Sequence, residues 1–336
     1  MKEAILVVSF GGPEKREDVM PFLENVTRGR GIPRERLLGV AEHYYHFDGR
    51  SPINAQSKAL IAELEELLAS EGPHLPVYWG NRNWHPFLNE AFAQMKADGI
   101  RKVYGFVTSA YSSYSGCRQY RENIAAAQAE CEAQGLEVHK LRVFYNHPGF
   151  IEPMVDSTRT ALASLPGPGK LLFTAHSIPL SMNPDQRYVP QLREASRLVA
   201  EACGHPDWEL LWQSRSGPPA QPWLEPDICD RLRALAAEGV KNVCVVPVGF
   251  ITDHLEVLWD LDHEAAGLAR ELGLGFARAG TAGADARFVR MVRDLVVERR
   301  EASPARAALG VLGASHDVCP ADCCPAPQRP AGRPVS

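Results

Sequence analysis

The chain has no uninterrupted apolar stretch approaching the roughly 18 residues that a membrane-spanning helix needs. Its opening, MKEAILVVSFGG, has neither the apolar length nor the cleavage site of a secretory leader. A cytoplasmic protein without a transmembrane segment is therefore expected. A basic run is also missing. Arg28, Arg30, Arg34 and Arg36 sit among Gly, Pro and Glu, and the net charge is −5 over 336 residues, which argues against nucleic acid as a partner. Neither GxGxxG nor a Walker sequence occurs, and Gly11-Gly12-Pro13 after a strand is by itself a weak phosphate cradle. With lipid, nucleic acid and nucleotide set aside, a small molecule remains as the expected partner. The chain's 8 cysteines, in a reducing compartment, do not read as a disulfide framework. Cys131, Cys203, Cys229 and Cys244 fall inside predicted helices or a strand and read as core filling, whereas a cluster of thiols would point to metal.

What is present is alternation. Apolar runs at 4–10, 77–79, 103–107 and 138–143 are separated by helical patterns at 14–26, 57–69, 87–97 and 119–134. A second set follows: strands at 170–175, 208–212, 243–246 and 274–277, with helices near 150–164, 190–203, 227–237, from 253, and 284–300. Strands alternating with helices of this length predict βαβ units and parallel sheets. LVVSFGGP and LFTAHSIP overlay with Phe10 on His176 and Pro13 on Pro179, which suggests two similar halves facing across a cleft. The expected division is 1–150, 151–301, and a Cys-containing tail over 302–336 where Pro, Ala and Gly end the periodicity.

One stretch organises the rest. VCVVPVGFITDHLEVLWDLDHE, Val243 to Glu264, reads as a buried strand, a loop, and a helix that Asp253 can cap. Glu256, Asp260 and Glu264 recur every four residues, so they form one column of carboxylates. Like charges at that spacing repel by a few tenths of a kcal/mol per pair, so a structural helix gains nothing from them. A solvated helix face is the plain alternative. The column starts, however, at the carboxyl end of a strand, where open parallel sheets bind ligands, and something cationic should pass there. His176 closes the first strand of the second half, at the same edge, with an imidazole suited to accepting a proton near neutrality. No second histidine is expected to face this site.

SFGGP, ENVTRGRG, HFDGRSPIN, GNRNW, SYSGC, TAHSIP, WQSRSGPP, PWLEPD and GFITDHLEVLWDLDHE together resemble the ferrochelatases, most closely the soluble actinobacterial type that metallates coproporphyrin III. The match runs from Ser9 to Glu264. The resemblance implies an α/β type II chelatase fold: two Rossmann-like domains with parallel sheets facing across the cleft that holds the porphyrin. It implies insertion of Fe²⁺ with loss of two pyrrole protons, in haem biosynthesis. Protoporphyrin IX as substrate, a cobalt chelatase, or a non-catalytic tetrapyrrole carrier are the alternatives. A carrier would have no use for the acidic column.

By that resemblance His176 and Glu256 are the catalytic pair, and His176, Glu256, Asp260 and Glu264 are the metal contacts. His176 acts as proton acceptor, metal ligand or both. Phe10, Arg28, Tyr44, Ser51, Asn83 and Tyr120 match porphyrin-contacting positions. Phe10 departs from relatives whose Tyr reaches the metal. Cys117, Cys319, Cys323 and Cys324 resemble the ligands of a [2Fe–2S] cluster, although neighbouring Cys323 and Cys324 are awkward for one site and leave zinc or a free thiol open. Arg28, Arg30, Arg34, Arg36 and Arg50 suit the four propionates of coproporphyrin. A monomer is expected rather than a dimer, with a downstream coprohaem decarboxylase as a possible partner.

Overall fold

A computed structural model describes residues 1–218 and 220–327; residues 328–336 of the predicted tail lie outside them. The first half runs β1 (Glu3–Ser9), α1 (Val19–Val26), α2 (Arg34–His46), α3 (Ile53–Glu71), β2 (Val77–Asn81), α4 (Leu88–Ala97), β3 (Lys102–Val107), α5 (Gln119–Glu130) and β4 (Glu137–Lys140). The second runs α6 (Pro148–Ala163), β5 (Lys170–His176), α7 (Tyr188–Ala202), β6 (Trp208–Gln213), α8 (Ile228–Ala237), β7 (Asn242–Val246), α9 (Leu255–Val257), α10 (Ala266–Glu271), β8 (Gly275–Arg278) and α11 (Ala286–Arg300). Two all-parallel sheets result, ordered β2-β1-β3-β4 and β6-β5-β7-β8. The identical order is the structural counterpart of the two overlaid segments.

Apolar strands without alternation form because both faces of each sheet are covered. Ile5 and Val7 face a core shared with Leu171, Phe173 and Val246 of the second sheet, while Ala4, Leu6 and Val8 face α4 and α5. The far face of the second sheet packs on α8 and the acidic helix through Leu232, Leu235, Val257 and Leu261. A smaller cluster joins α1 and α2 to Leu255, so the two halves also meet at the cleft.

Several boundaries differ from the sequence reading. α2 has no counterpart among the predicted helices, because its apolar contribution is a narrow stripe, Leu37, Ala41 and Tyr44, in an otherwise polar segment. The helix expected over 14–26 divides into a 3₁₀ turn, Arg16–Asp18, and α1. β4 stops at Lys140 although Leu141 and Val143 are buried. Arg142 leaves the ladder because its guanidinium is committed elsewhere, to Glu298 at 2.7 and 3.0 Å and to the Ala307 carbonyl at 2.9 Å.

That ion pair belongs to a larger crossing. α11 packs on α6 and also on α3 and β3 of the first sheet, with Arg290 on Glu71 at 2.6 and 2.8 Å and Arg300 on Glu3 at 2.8 Å. The tail continues the crossing. Leu309 and Asn146 exchange hydrogen bonds at 2.8 and 3.0 Å, the Val311 N–H reaches Glu194 at 2.9 Å, and Arg121 holds the Pro320 and Ala321 carbonyls at 3.1 and 3.3 Å.

Candidate active site at the strand ends

β5 ends on His176, and the loop after β7 presses against that end. A Cβ on Gly249 would stand 2.5 Å from the Ala175 Cβ and 2.6 Å from its Cα, so only glycine allows the approach. The His176 carbonyl accepts from the Tyr188 hydroxyl at 3.0 Å, and Nδ1 of the ring is hydrogen-bonded to the Ser177 carbonyl. A carbonyl only accepts, so Nδ1 carries the hydrogen and Nε2 keeps its lone pair. Nε2 lies 3.6 Å from the Glu256 carboxylate, with His176 33% and Glu256 51% exposed. The separation exceeds a hydrogen bond, which leaves both groups free for a third.

The acidic segment starts differently from its sequence reading. His254, not Asp253, occupies the cap and accepts from the Glu256 N–H at 3.2 Å. Asp253 is taken by Arg278, at 3.1 and 3.2 Å, which also holds Asp262. From Leu258 to Ala265 the helix is a π-helix, not the expected α-helix. Its i→i+5 bonds wind more residues into each turn than 3.6, so a spacing of four comes close to one full turn and the column stays aligned.

Asp260 is the column's partly buried member, whereas Glu256 and Glu264 are exposed. Gln213 donates to it at 3.3 Å and Ser214 Oγ also bonds it, from a Ser214 backbone in the left-handed region at φ 61. Burial pushes its carboxyl up to about 7, the Ser214 bond opposes this, and Glu256 and Glu264 add repulsion. It can therefore exchange a proton near neutrality. Glu264 is exposed at the outer end. The expectation that no second histidine faces this region fails: burial holds His254 toward its neutral form, and His43, His46 and His263 surround Trp259, with His43 stacked at 3.9 Å and His263 at 4.4 Å. Two of them lie on α2, the helix the sequence reading missed.

The other predicted residues gather in part. Phe22 contacts Phe10, Tyr44 and Trp84 at 6.3, 5.8 and 6.2 Å between ring centroids. Tyr44 is buried, and burial followed by Glu256 keeps its phenol protonated. Asn83 donates to the Phe10 carbonyl from its backbone at 3.0 Å and its amide at 3.3 Å, so it positions Phe10. Tyr120 is buried beneath Arg82, whose guanidinium is 4.5 Å from its ring and 5.6 Å from Phe10. Ser51 is buried beside Gly12, where an added Cβ would come within 2.8 Å. Arg28 is exposed after α1, and its guanidinium has no partner among the described residues.

Ser214, Gln213 and Arg82 lie within WQSRSGPP and GNRNW. Those motifs were therefore a signal that these side chains touch the site.

The four cysteines come together. Cys117 sits buried in a π turn, Tyr114–Arg118, where the neighbouring thiols of Cys319 and Cys324, with Lys140, draw it toward thiolate. Cys323 and Cys324 look awkward in sequence, yet their sulfurs are 3.7 Å apart because Cys324 has φ 54 and turns its side chain to the same side. Two thiolates about 2.3 Å from one tetrahedral metal stand roughly 3.8 Å apart, so the donor set fits a metal or cluster. Cys244 is fully buried as expected, while Cys131, Cys203 and Cys229 are partly buried against the cores.

A family profile described as ferrochelatase matches residues 2–300. Among its relatives, a ferrochelatase of Rhodopirellula baltica is 52% identical over 99% of this chain and 97% of its own length. A coproporphyrin III ferrochelatase of Streptomyces coelicolor is 52% identical over 96% of this chain and 93% of its own. Among solved structures, SirB from Bacillus subtilis with Fe³⁺ covers 90% of this chain and 98% of its own at a TM-score of 0.55 and 13% identity, a likeness of fold.

Proposed function

The chain belongs to the ferrochelatase family, and from that premise we propose that it inserts Fe²⁺ into coproporphyrin III, with His176 and Glu256 as the pair beside the macrocycle. The observation that carries the chemistry is the Nε2 lone pair of His176, fixed by the Ser177 carbonyl and set 3.6 Å from Glu256 at the head of the carboxylate column. Two pyrrole N–H protons leave as one Fe²⁺ enters, so charge balances. His176 Nε2 accepts the two protons one after the other, and Asp260, poised near neutrality, relays each outward before the next is taken. Fe²⁺ is the substrate, and the oxygens of Glu264, Asp260 and Glu256 replace its water stepwise.

The preference for coproporphyrin rests on free guanidinium groups around α1 and α2. Five arginines were expected to serve. Arg34 is paired with Glu24 at 2.9 Å and Arg36 with the Ser216 carbonyl, whereas Arg28, Arg30 and Arg50 have no side-chain partner among the described residues. Three unpartnered cations exceed what two propionates need and suit four, each charge-assisted pair being worth about 1 kcal/mol or more. Tyr44, Ser51, Asn83 and Tyr120 complete the porphyrin side, with Phe10 as an apolar floor.

Cys117, Cys319, Cys323 and Cys324 are proposed to hold a [2Fe–2S] cluster, which when bound supplies a one-electron couple. Iron and acid-labile sulfide in the purified chain support this reading, and stoichiometric zinc without sulfide rejects it. Among the described residues no helix is long and apolar enough to cross a membrane. The reading includes a cytoplasmic monomer passing its product to a decarboxylase.

Anaerobic metallation with coproporphyrin III and protoporphyrin IX in parallel tests the function. At least about a tenfold advantage in kcat/KM for coproporphyrin, about 1.4 kcal/mol, is expected. Equal or faster use of protoporphyrin transfers the assignment to that substrate.

A further inference from the structure

His316 lies outside the four-cysteine set, yet its Nε2 is 3.7 Å from Cys323 Sγ, and the donor atoms of His316, Cys319 and Cys323 all fall within 4.8 Å of one another. Two roles are compatible with that distance: a fifth ligand competing for metal, or an N–H donor to a sulfur ligand. The second ring nitrogen discriminates between them. Nδ1 faces the guanidinium of Arg187 at 3.1 Å. A guanidinium has hydrogens and no acceptor, so Nδ1 must accept, and a neutral imidazole accepting at Nδ1 carries its hydrogen on Nε2. A histidine that ligates metal is arranged the other way, with its remote N–H donating to a carboxylate or carbonyl. Here the remote partner is a cation.

We propose that His316, oriented by Arg187, is a positioning residue that donates its Nε2–H to the Cys323 sulfur and thereby raises the reduction potential of the cluster. The proposal rests on the cluster reading given above. Its physical basis is that an N–H donor withdraws negative charge from a thiolate, and reduction adds negative charge to the cluster, so the reduced form gains more from the bond. Arg187 strengthens the effect, because a ring that accepts from a cation at one nitrogen donates more strongly from the other. No member of the acidic column takes part, and the histidine is separate from the porphyrin residues.

The test is an EPR-monitored redox titration of the full chain, purified anaerobically, alongside His316→Leu, His316→Gln and Arg187→Met, with iron and sulfide measured in each. With clusters intact, His316→Leu should lower the midpoint potential and remove an exchangeable-proton coupling from the reduced cluster. His316→Gln, whose amide can donate, should restore part of the shift, and Arg187→Met should lower the midpoint by less. An unchanged midpoint in a fully loaded His316→Leu overturns the proposal and leaves the cluster reading standing. A directly bonded nitrogen coupling that disappears in His316→Leu overturns it in favour of ligation. Wild-type protein without sulfide overturns both readings. Where His316→Leu fails to assemble a cluster, Arg187→Met decides: a lower midpoint supports the donor, and an unchanged one rejects it.

Discussion

Replacing Asp260 with Asn should stabilise the folded chain at pH 8 while slowing metal insertion. In the folded chain burial first, and repulsion from Glu256 and Glu264 after it, raise the Asp260 carboxyl from 3.8 to about 7. The sign follows from proton counting. Between about pH 4 and pH 7 the unfolded chain has lost this proton and the folded chain has kept it, so the native state binds more protons and wild-type stability falls as pH rises through that window. Above the folded value the loss is complete and constant. At 1.36 kcal/mol per pH unit, ionised Asp260 costs the fold up to about 4 kcal/mol at pH 8. Asn does not titrate, and its carbonyl can still accept from Ser214. Thermal unfolding of metal-free wild type and Asp260→Asn from pH 5 to 8.5 measures the difference. The variant's advantage in Tm should grow with pH by an amount on the order of 5 °C and level off above pH 7. A constant offset across the range would mean that Asp260 ionises as an ordinary carboxylate, and its relay role would go with it.

His176→Ala should lower metal insertion by 10² or more while porphyrin binding by fluorescence quenching persists, and Glu256→Gln should be nearly as severe. Retention of a tenth of wild-type turnover would remove His176 from the chemistry. Arg28→Ala should narrow the coproporphyrin preference in paired kcat/KM measurements, and an unaltered ratio would place Arg28 away from the propionates. Glu298→Ala strands the Arg142 guanidinium, which is 1% exposed, and should cost about 3–5 kcal/mol in stability, whereas Arg142→Met with Glu298→Leu should cost far less. Equal losses in the single and double variants would show that packing, not the buried charge, dominates there.

The sheets were legible because a strand covered on both faces has no alternative to a continuous apolar run, as in Ala4 to Val8 and Val243 to Val246. His176, Glu256 and Asp260 were legible as a candidate site because their positions at a strand end and on a period of four serve no packing purpose, and the structure brings them to one edge. The winding of that helix was not. A period of four fits both α and π geometry, and only the Leu258–Ala265 hydrogen bonds choose between them. Asp253 looked like the cap because aspartate favours that position, but capping propensity is worth about 1 kcal/mol and the Arg278 pair, which nothing local announces, outweighs it. Likewise His316 carries no motif, and its link to Arg187 spans 129 residues.

The crossing of α11 sets a schedule for biosynthesis. The strands of the first sheet are complete once Lys140 has been made, but α11, which packs on α3 and β3, begins only at Ala286. At about 5–20 residues per second the ribosome needs roughly 7–30 s to make the intervening segment. Throughout that interval the faces of α3 and β3 that α11 later covers have no native neighbour. The amino-terminal half thus emerges first and is finished last. Chaperone demand on nascent chains should accordingly peak between these two points and fall abruptly when α11 clears the exit tunnel, and a message truncated before Ala286 should yield an aggregating product rather than a folded half.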